Sequence, residues 1–253
     1  MTEFIRARDG VDIAYEKMGV GPPVILVHGF AASRIITWKN TGWYEWLLGM
    51  GRSVIAFDCR GHGESGKPHS PEAYDDRKMA MDIVMMMEAH DTESAPVMGY
   101  SMGSYLAVAL MHLAPKRVER AVLAGVGENY FSFWEERSER IAKGLQAADP
   151  GALSDNTAIE FRAFAERAGN DLDALAACMR RARLMCTAWD LGQMPQPILV
   201  VSGEDDRMAG RPAPLAAHFV NGAAVSVPGR NHHSTVGDRA FKEAVRDFLN
   251  RSL

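Results

Sequence analysis

Gly99-Tyr100-Ser101-Met102-Gly103 forms a G-x-S-x-G sequence between the apolar run Pro96-Val97-Met98 and the helix-forming stretch from Met102 to Leu113. A serine at a strand-to-helix turn is forced into a strained backbone conformation that presents its hydroxyl. Glycines two places before and after it remove side chains that would collide there. The amides opening the next helix aim at the same spot. Both features suit a nucleophile that becomes an oxyanion-bearing adduct, so Ser101 is the expected nucleophile.

Working outward, Val24-Ile25-Leu26-Val27, Ser53 to Phe57, Ala121 to Ala124 and Pro197 to Val201 are short apolar runs of the same kind, and Ala224 to Val227 is a weaker sixth. Such runs suit strands buried on both faces of a parallel sheet. Between them lie helical patterns at Trp43 to Met50, Arg77 to His90, Met102 to Leu113, Pro212 to Phe219 and Arg239 to Leu249. This alternation implies an α/β fold, a mostly parallel central sheet with helices on both faces. At the start, Phe4 to Arg8 and Val11 to Glu16 flank Asp9-Gly10, which predicts an antiparallel pair closed by a tight turn.

One stretch breaks the alternation. From Glu128 to Met194 the residues are helix-forming and amphipathic, with Ile159, Phe161, Phe164, Leu172, Leu175, Met179 and Leu184 on the apolar faces and Glu160, Arg162, Glu166, Arg180 and Arg181 opposite. It is too long for a plain connection and is expected to be an inserted helical lid. The expected division is a core of residues 1–127 and 195–253 with a lid of 128–194.

A serine hydroxyl is a poor nucleophile at neutral pH, so it needs a base and a group that fixes the base's tautomer. Pro228-Gly229-Arg230-Asn231-His232-His233 follows the last strand-like run, at the sheet edge where open α/β sheets place their sites. His232 is the expected base, with His233 beside it. The orienting carboxylate is expected from Val201-Ser202-Gly203-Glu204-Asp205-Asp206, directly after a buried strand. Serine, then aspartate, then histidine is the chain order of an α/β-hydrolase triad. For the oxyanion, the loop His28-Gly29-Phe30-Ala31 offers the Phe30 amide and Met102 offers a second, while His28 itself is expected to be a structural hydrogen-bonding residue.

These residues together resemble the α/β-hydrolase family from the strand before His28-Gly29-Phe30 to the terminal helix. Asp58-Cys59-Arg60-Gly61-His62-Gly63-Glu64-Ser65 is similar to that family's D-x-R-G-x-G-x-S loop. The resemblance implies that the triad acid stands three residues after Gly203, at Asp206, with Asp205 still open and Glu128 the counterpart in members whose acid has moved. It also implies His232 as the base, although Asn231 stands where glycine is usual, which keeps His233 in view.

Other chemistries fit poorly. Gly61-His62-Gly63-Glu64-Ser65-Gly66 reads formally as a dinucleotide-binding G-x-G-x-x-G, but Lys67-Pro68-His69-Ser70-Pro71 follows and prevents the immediate helix that pattern requires. No H-E-x-x-H or comparable ligand pair occurs, so neither cofactor nor metal is expected. A net charge of -4 without a run of like charges argues against nucleic acid. The N-terminal segment lacks a signal-like apolar stretch and no run of about 18 apolar residues occurs, so no membrane partner and a cytoplasmic location are expected. Cys59, Cys178 and Cys186 lack metal-site or disulfide spacing and are expected to be buried thiols, and the methionines at 79, 81, 85, 86 and 87 are expected to pack in the core.

The expected function is therefore hydrolysis of small carboxylic esters or related acyl compounds by acyl transfer through Ser101, the partner being a small-molecule acyl substrate. Phe131, Phe133, Trp134, Phe161, Phe164 and Trp189 are expected to give the lid an apolar pocket. The resemblance also admits carbon–carbon hydrolases of vinylogous diketo acids, cofactor-free perhydrolases, and ligand receptors that keep the triad.

Overall fold

Eight strands form one sheet in the computed structural model, which describes residues 1–132 and 134–251. They are β1 (Glu3–Arg6), β2 (Asp12–Met18), β3 (Pro23–Val27), β4 (Ser53–Phe57), β5 (Ala95–Tyr100), β6 (Val118–Ala124), β7 (Ile198–Gly203) and β8 (Gly222–Val227). Helix α1 (Trp43–Gly49) joins β3 to β4, α2 (Asp76–Glu88) joins β4 to β5, and α3 (Met102–Leu113) joins β5 to β6. Between β6 and β7 come α4 (Trp134–Leu145), α5 (Asn156–Arg167), α6 (Leu172–Met179) and α7 (Ala188–Gly192), with no strand among the described residues. Helix α8 (Pro212–Ala216) precedes β8 and α9 (Arg239–Leu249) follows it.

The strand order is β1-β2-β4-β3-β5-β6-β7-β8, antiparallel at β1–β2 and β2–β4 and parallel from β4 to β8. The N-terminal pair forms as expected, but its connection is wider than a two-residue turn: the Ala7 amide donates to Val11 O at 2.8 Å and the Gly10 amide to Ala7 O at 2.9 Å. Of the Asp-Gly pair, only Gly10 takes a positive φ, 87°.

The continuous apolar runs are explained by two-sided burial. On β3, Val24 and Leu26 join the cluster containing Trp43, Leu47, Phe241 and Phe248, so α1 and α9 cover that face. Ile25 and Val27 join the opposite cluster with Met79, Ile83, Leu106 and Leu110, from α2 and α3. A one-residue slip would exchange the two sets. Met79, Met86 and Met87 are buried there, whereas Met81 is exposed, and all three cysteines are buried and unpaired.

The chain leaves β3 toward β4, then crosses back over β3 to reach β5. Connections therefore depart in opposite directions at the carboxyl ends of β3 and β5, the place where open α/β sheets form a crevice.

The segment between β6 and β7 is organised by acid and hydroxyl caps. Asp155 accepts the Ala158 amide at 2.9 Å, Asp171 accepts the Ala174 amide at 2.9 Å, and Thr187 with Asp190 makes a capping box. One expectation fails: Arg180 is exposed with its Glu139 partner, but Arg181 is buried. Its Nε donates to Asp76 Oδ1 at 2.7 Å, and the side chains of the two residues are 1% and 2% exposed. Among the described residues no helix is long and apolar enough to cross a membrane.

Candidate active site

Ser101 has φ 52° and ψ −112°, a conformation that L-residues avoid. The surroundings enforce it. A methyl group on Gly99 would stand 2.3 Å from the Gly103 carbonyl oxygen, and one on Gly103 would stand 2.1 Å from that of Val27. Only glycine permits the start of α3 to lie so tightly between β5 and the end of β3. The Ser101 amide donates to Ala124 O at 2.7 Å, tying the turn to β6.

His232 and Asp206, the expected base and acid, arrive from neighbouring strand ends. The Ser101 hydroxyl is 3.1 Å from His232 Nε2, and His232 Nδ1 is 2.8 Å from Asp206 Oδ2. A carboxylate can only accept, so Nδ1 carries the proton and Nε2 is left to receive one from Ser101. Asp206 Oδ1 accepts the amides of Met208 at 3.0 Å and Ala209 at 2.9 Å. Burial acts to raise the Asp206 pKa, but the His232 hydrogen bond, its charge and these amides outweigh burial and hold the carboxyl below its ordinary value.

The alternatives separate cleanly. Asp205 is exposed and is held through its backbone, its amide donating to Arg230 O at 2.9 Å and its carbonyl accepting the Arg207 amide at 3.0 Å. Glu128 pairs with Arg211 at 2.8 Å. The ring of His233 packs against Phe164, centroids 5.7 Å apart. Asn231, in place of the usual glycine, accepts the amides of His233 and Ser234 at 3.0 Å each through Oδ1, a turn that needs this side chain. Gly203 is required nearby, since a methyl there would lie 2.0 Å from Arg230 O.

Tyr100 was not anticipated. Its hydroxyl donates to His232 O at 2.5 Å, so the residue before the serine also anchors the loop that carries His232. Nothing in a G-x-S-x-G pattern marks that position.

The proposed oxyanion donors lie on the two backbones that the glycines bring together. Met102 opens α3, where an amide has no acceptor within its own helix. Phe30 follows Gly29, at which a methyl would sit 3.3 Å from Tyr100 O and 3.5 Å from Ser101 Cβ. His28 fixes this loop as a buried neutral imidazole: Nδ1 donates to Gly29 O at 2.7 Å and Nε2 accepts the Cys59 amide at 2.9 Å. Burial lowers its pKa, which favours that neutral form.

The 58–65 loop is a buried ion-pair knot. Asp58 accepts the Arg34 guanidinium, the Arg34 amide at 2.8 Å and the Glu64 amide at 2.9 Å, while Arg60 bridges Asp82 and Asp9. No helix opens at Gly66; the chain runs as loop to a short 3₁₀ turn at Pro71–Tyr74.

Two cavities meet at Ser101. One is bounded by His232, His233, Phe161, Phe164, Ile36 and Val236. The other holds Met102, Tyr105, Phe161, Arg137, Arg181 and Arg183. Of the aromatics expected in the lid pocket, Phe161 and Phe164 are present, but Phe131 and Trp189 are 42% and 70% exposed. Phe133 and the Trp134 side chain lie outside the described residues. Arg181 was expected on a solvated face because of its charge, and nothing in the sequence singles out Arg137 or Arg183. Among the described residues no group of three or more His, Cys, Asp or Glu could hold a metal ion.

Comparison with known proteins agrees with the fold. The 2-hydroxy-6-oxo-2,4-heptadienoate hydrolase of Pseudomonas putida is 26% identical over 260 residues, covering 95% of this chain and 93% of the relative. A hydrolase from Pseudomonas aeruginosa superposes with a TM-score of 0.79 at 25% identity, over 99% of this chain and 98% of the other. A thermophilic esterase from Thermogutta terrifontis does so with a TM-score of 0.78 at 25% identity, over 98% of each chain. A sequence model of the α/β hydrolase fold matches residues 22–168, more than half of the chain, and the protein therefore belongs to that family.

Proposed function

We propose that the protein is a serine hydrolase that opens small carboxylic esters or related acyl compounds through an acyl intermediate on Ser101. The observation that carries the reading is the unbroken hydrogen-bonded series from Asp206 to His232 at 2.8 Å and from His232 to the strained Ser101 at 3.1 Å. In the first step His232 Nε2 takes the hydroxyl proton as Oγ bonds to the acyl carbon, and the Phe30 and Met102 amides receive the charge gathering on the carbonyl oxygen. The alcohol leaves with the proton from His232. Water, deprotonated by the same imidazole, then frees the acid. Asp206 holds the ring in the tautomer this requires and stabilises it when charged. Residues 128–194 act as a lid whose Phe161 and Phe164 wall the crevice.

The test is steady-state hydrolysis of p-nitrophenyl butyrate together with fluorophosphonate labelling and peptide mapping. The expected result is many turnovers, a label on Ser101, and a fall of roughly 10³-fold or more in Ser101→Ala. A receptor that merely keeps the triad gives one turnover or none. Retained turnover in Ser101→Ala, or a label elsewhere, ends the reading.

Similarity to the Pseudomonas putida hydrolase along nearly the whole chain favours one second reading, cleavage of a carbon–carbon bond in a vinylogous diketo acid by the same serine. Comparing bleaching of such a substrate with ester turnover, in wild type and Ser101→Ala, separates the two.

A further inference from the structure

Phe30, whose amide is one of the two proposed oxyanion donors, sits in a strained turn. Ala31 follows it with φ 57°, in the left-handed region that a residue bearing a Cβ avoids. The turn is closed by the Ala32 amide on Gly29 O at 3.3 Å, a long bond, and by His28 Nδ1 on the same oxygen at 2.7 Å. Backbone of this kind keeps its shape only where its surroundings hold it.

The segment between β6 and β7 takes part in that hold. Asn170, between α5 and α6, donates through Nδ2 to Ala31 O at 2.7 Å, 139 positions away in the chain, and the Gly63 amide lies 3.4 Å from its Oδ1. A carbonyl only accepts and a backbone amide only donates, so the two contacts leave the Asn170 side chain one orientation. The chain fixes Asn170 from both sides. Gly169, at φ 68°, ends α5, the Asn170 amide returns to Ala165 O at 3.0 Å, and Asp171 caps α6 through the Ala174 amide at 2.9 Å. The same helix α5 sets the ring of Phe161 edge-on against that of Phe30, centroids 5.6 Å apart. The segment therefore grips two residues of the turn, Phe30 by its ring and Ala31 by its carbonyl.

We propose that Asn170 is a positioning residue for the oxyanion site: docking of the segment onto the sheet sets the direction of the Phe30 amide, so the charge on the carbonyl oxygen is received fully only when the segment is seated. This rests on the acyl-transfer reading of Ser101. Asn170 is not among the described residues that bound the two cavities at Ser101, so it acts through the turn.

The test pairs Asn170→Ala with Asp171→Ala, which removes the α6 cap and the 3.0 Å contact to His69 at the same corner and leaves the bond to Ala31 in place. With p-nitrophenyl butyrate, kcat is expected to fall about 10-fold in Asn170→Ala with KM within about 2-fold, and to stay within about 2-fold in Asp171→Ala. Phenylboronic acid, whose tetrahedral adduct on Ser101 puts an oxygen between the Phe30 and Met102 amides, should bind Asn170→Ala about 10-fold more weakly and Asp171→Ala as it binds wild type. Asn170→Gln, which keeps the donor, should recover part of the loss. Equal falls in kcat in the two alanine variants would mean a general loosening of the segment and overturn the proposal. A rise in KM at constant kcat, or unchanged boronate affinity, in Asn170→Ala does the same. Hydrogen exchange at the Ala32 amide is the readout that needs no turnover, and it should be about 10-fold faster in Asn170→Ala alone. If exchange quickens in this way while wild type hydrolyses no ester, the clasp on the turn stands and the acyl-transfer reading alone fails. Unaltered exchange overturns the proposal.

Discussion

The carboxyl edge of the sheet and the helical segment between β6 and β7 both border Ser101, yet they are specified in different ways. At the sheet edge, backbone atoms set the geometry: glycines at 99, 103 and 203 stand where a single methyl would meet a carbonyl oxygen at 2.3 Å or less. In the segment, side chains set it, through acid caps and the buried Arg181–Asp76 pair that joins the segment to α2. Backbone constraints are tied to local sequence and leave little room for variation. Side-chain constraints depend on what happens to pack opposite, so one fold can keep its chemistry while the pocket beside it changes charge.

The largest effect expected from breaking this contrast lies at the edge. Asp206→Asn should lower kcat by roughly 10³- to 10⁴-fold, because an amide can leave His232 in the wrong tautomer, while Asp205→Asn should stay within about 2-fold. Ester hydrolysis by the two variants decides it, and similar losses in both would dissolve the distinction between the acids. Linkage gives a second signature. The folded Asp206 pKa is lowered, so its contribution to stability is present above the unfolded value near 4 and is lost as pH falls through the folded value. Acid unfolding followed by circular dichroism should show a shallower pH dependence in Asp206→Asn.

In the segment, the pair buried against α2 gives the largest expected stability change. Asp76 accepts from Arg181 through Oδ1 and from the Leu184 amide at 3.0 Å through Oδ2, so Asp76→Asn leaves a buried guanidinium unanswered. About 3–5 kcal/mol should be lost in urea unfolding. A loss under about 1 kcal/mol would mean that the segment is not held by this pair.

How far the sequence revealed each region follows the same division. Ser101, His232 and the Asp205–Asp206 pair stand out because strand ends and turn residues are short-range signals, the family resemblance points to Asp206 within the pair, and the structure brings Ser101, His232 and Asp206 within hydrogen-bond reach. Arg181 does not. Its neighbours Arg180 and Ala182 are exposed, and only the approach of α2, more than 100 positions earlier, turns it inward. Nothing in the sequence singles out Arg137 or Arg183, which line the same cavity beside Ser101. The N-terminal turn was misjudged more mildly, since Asp-Gly is compatible with both the short and the wider connection.

At Gly103 the edge can be tested for stability alone. Gly103→Ala places a methyl 2.1 Å from Val27 O and 2.9 Å from His28 O, both backbone atoms that cannot swing aside. A loss of about 3 kcal/mol in urea unfolding is expected, with ester turnover falling further than stability alone explains, because the loop carrying Phe30 must shift. Unchanged unfolding would show that β3 and α3 can separate without penalty.

The smallest effect sharpens the comparison most, because it asks whether the edge also uses a side chain. Tyr100→Phe removes one hydroxyl, the donor at 2.5 Å to the His232 carbonyl, and keeps the ring that packs 6.4 Å from Trp38 and 5.7 Å from His232. A hydrogen bond of this kind contributes about 1 kcal/mol, so unfolding should shift by that order. The bond fixes the backbone of the loop that carries His232. Its removal should therefore lower kcat several-fold with little change in KM, as the imidazole spends less time aligned with Ser101. A rise in KM at constant kcat would instead place Tyr100 in substrate binding, and the elbow would then position only its own serine.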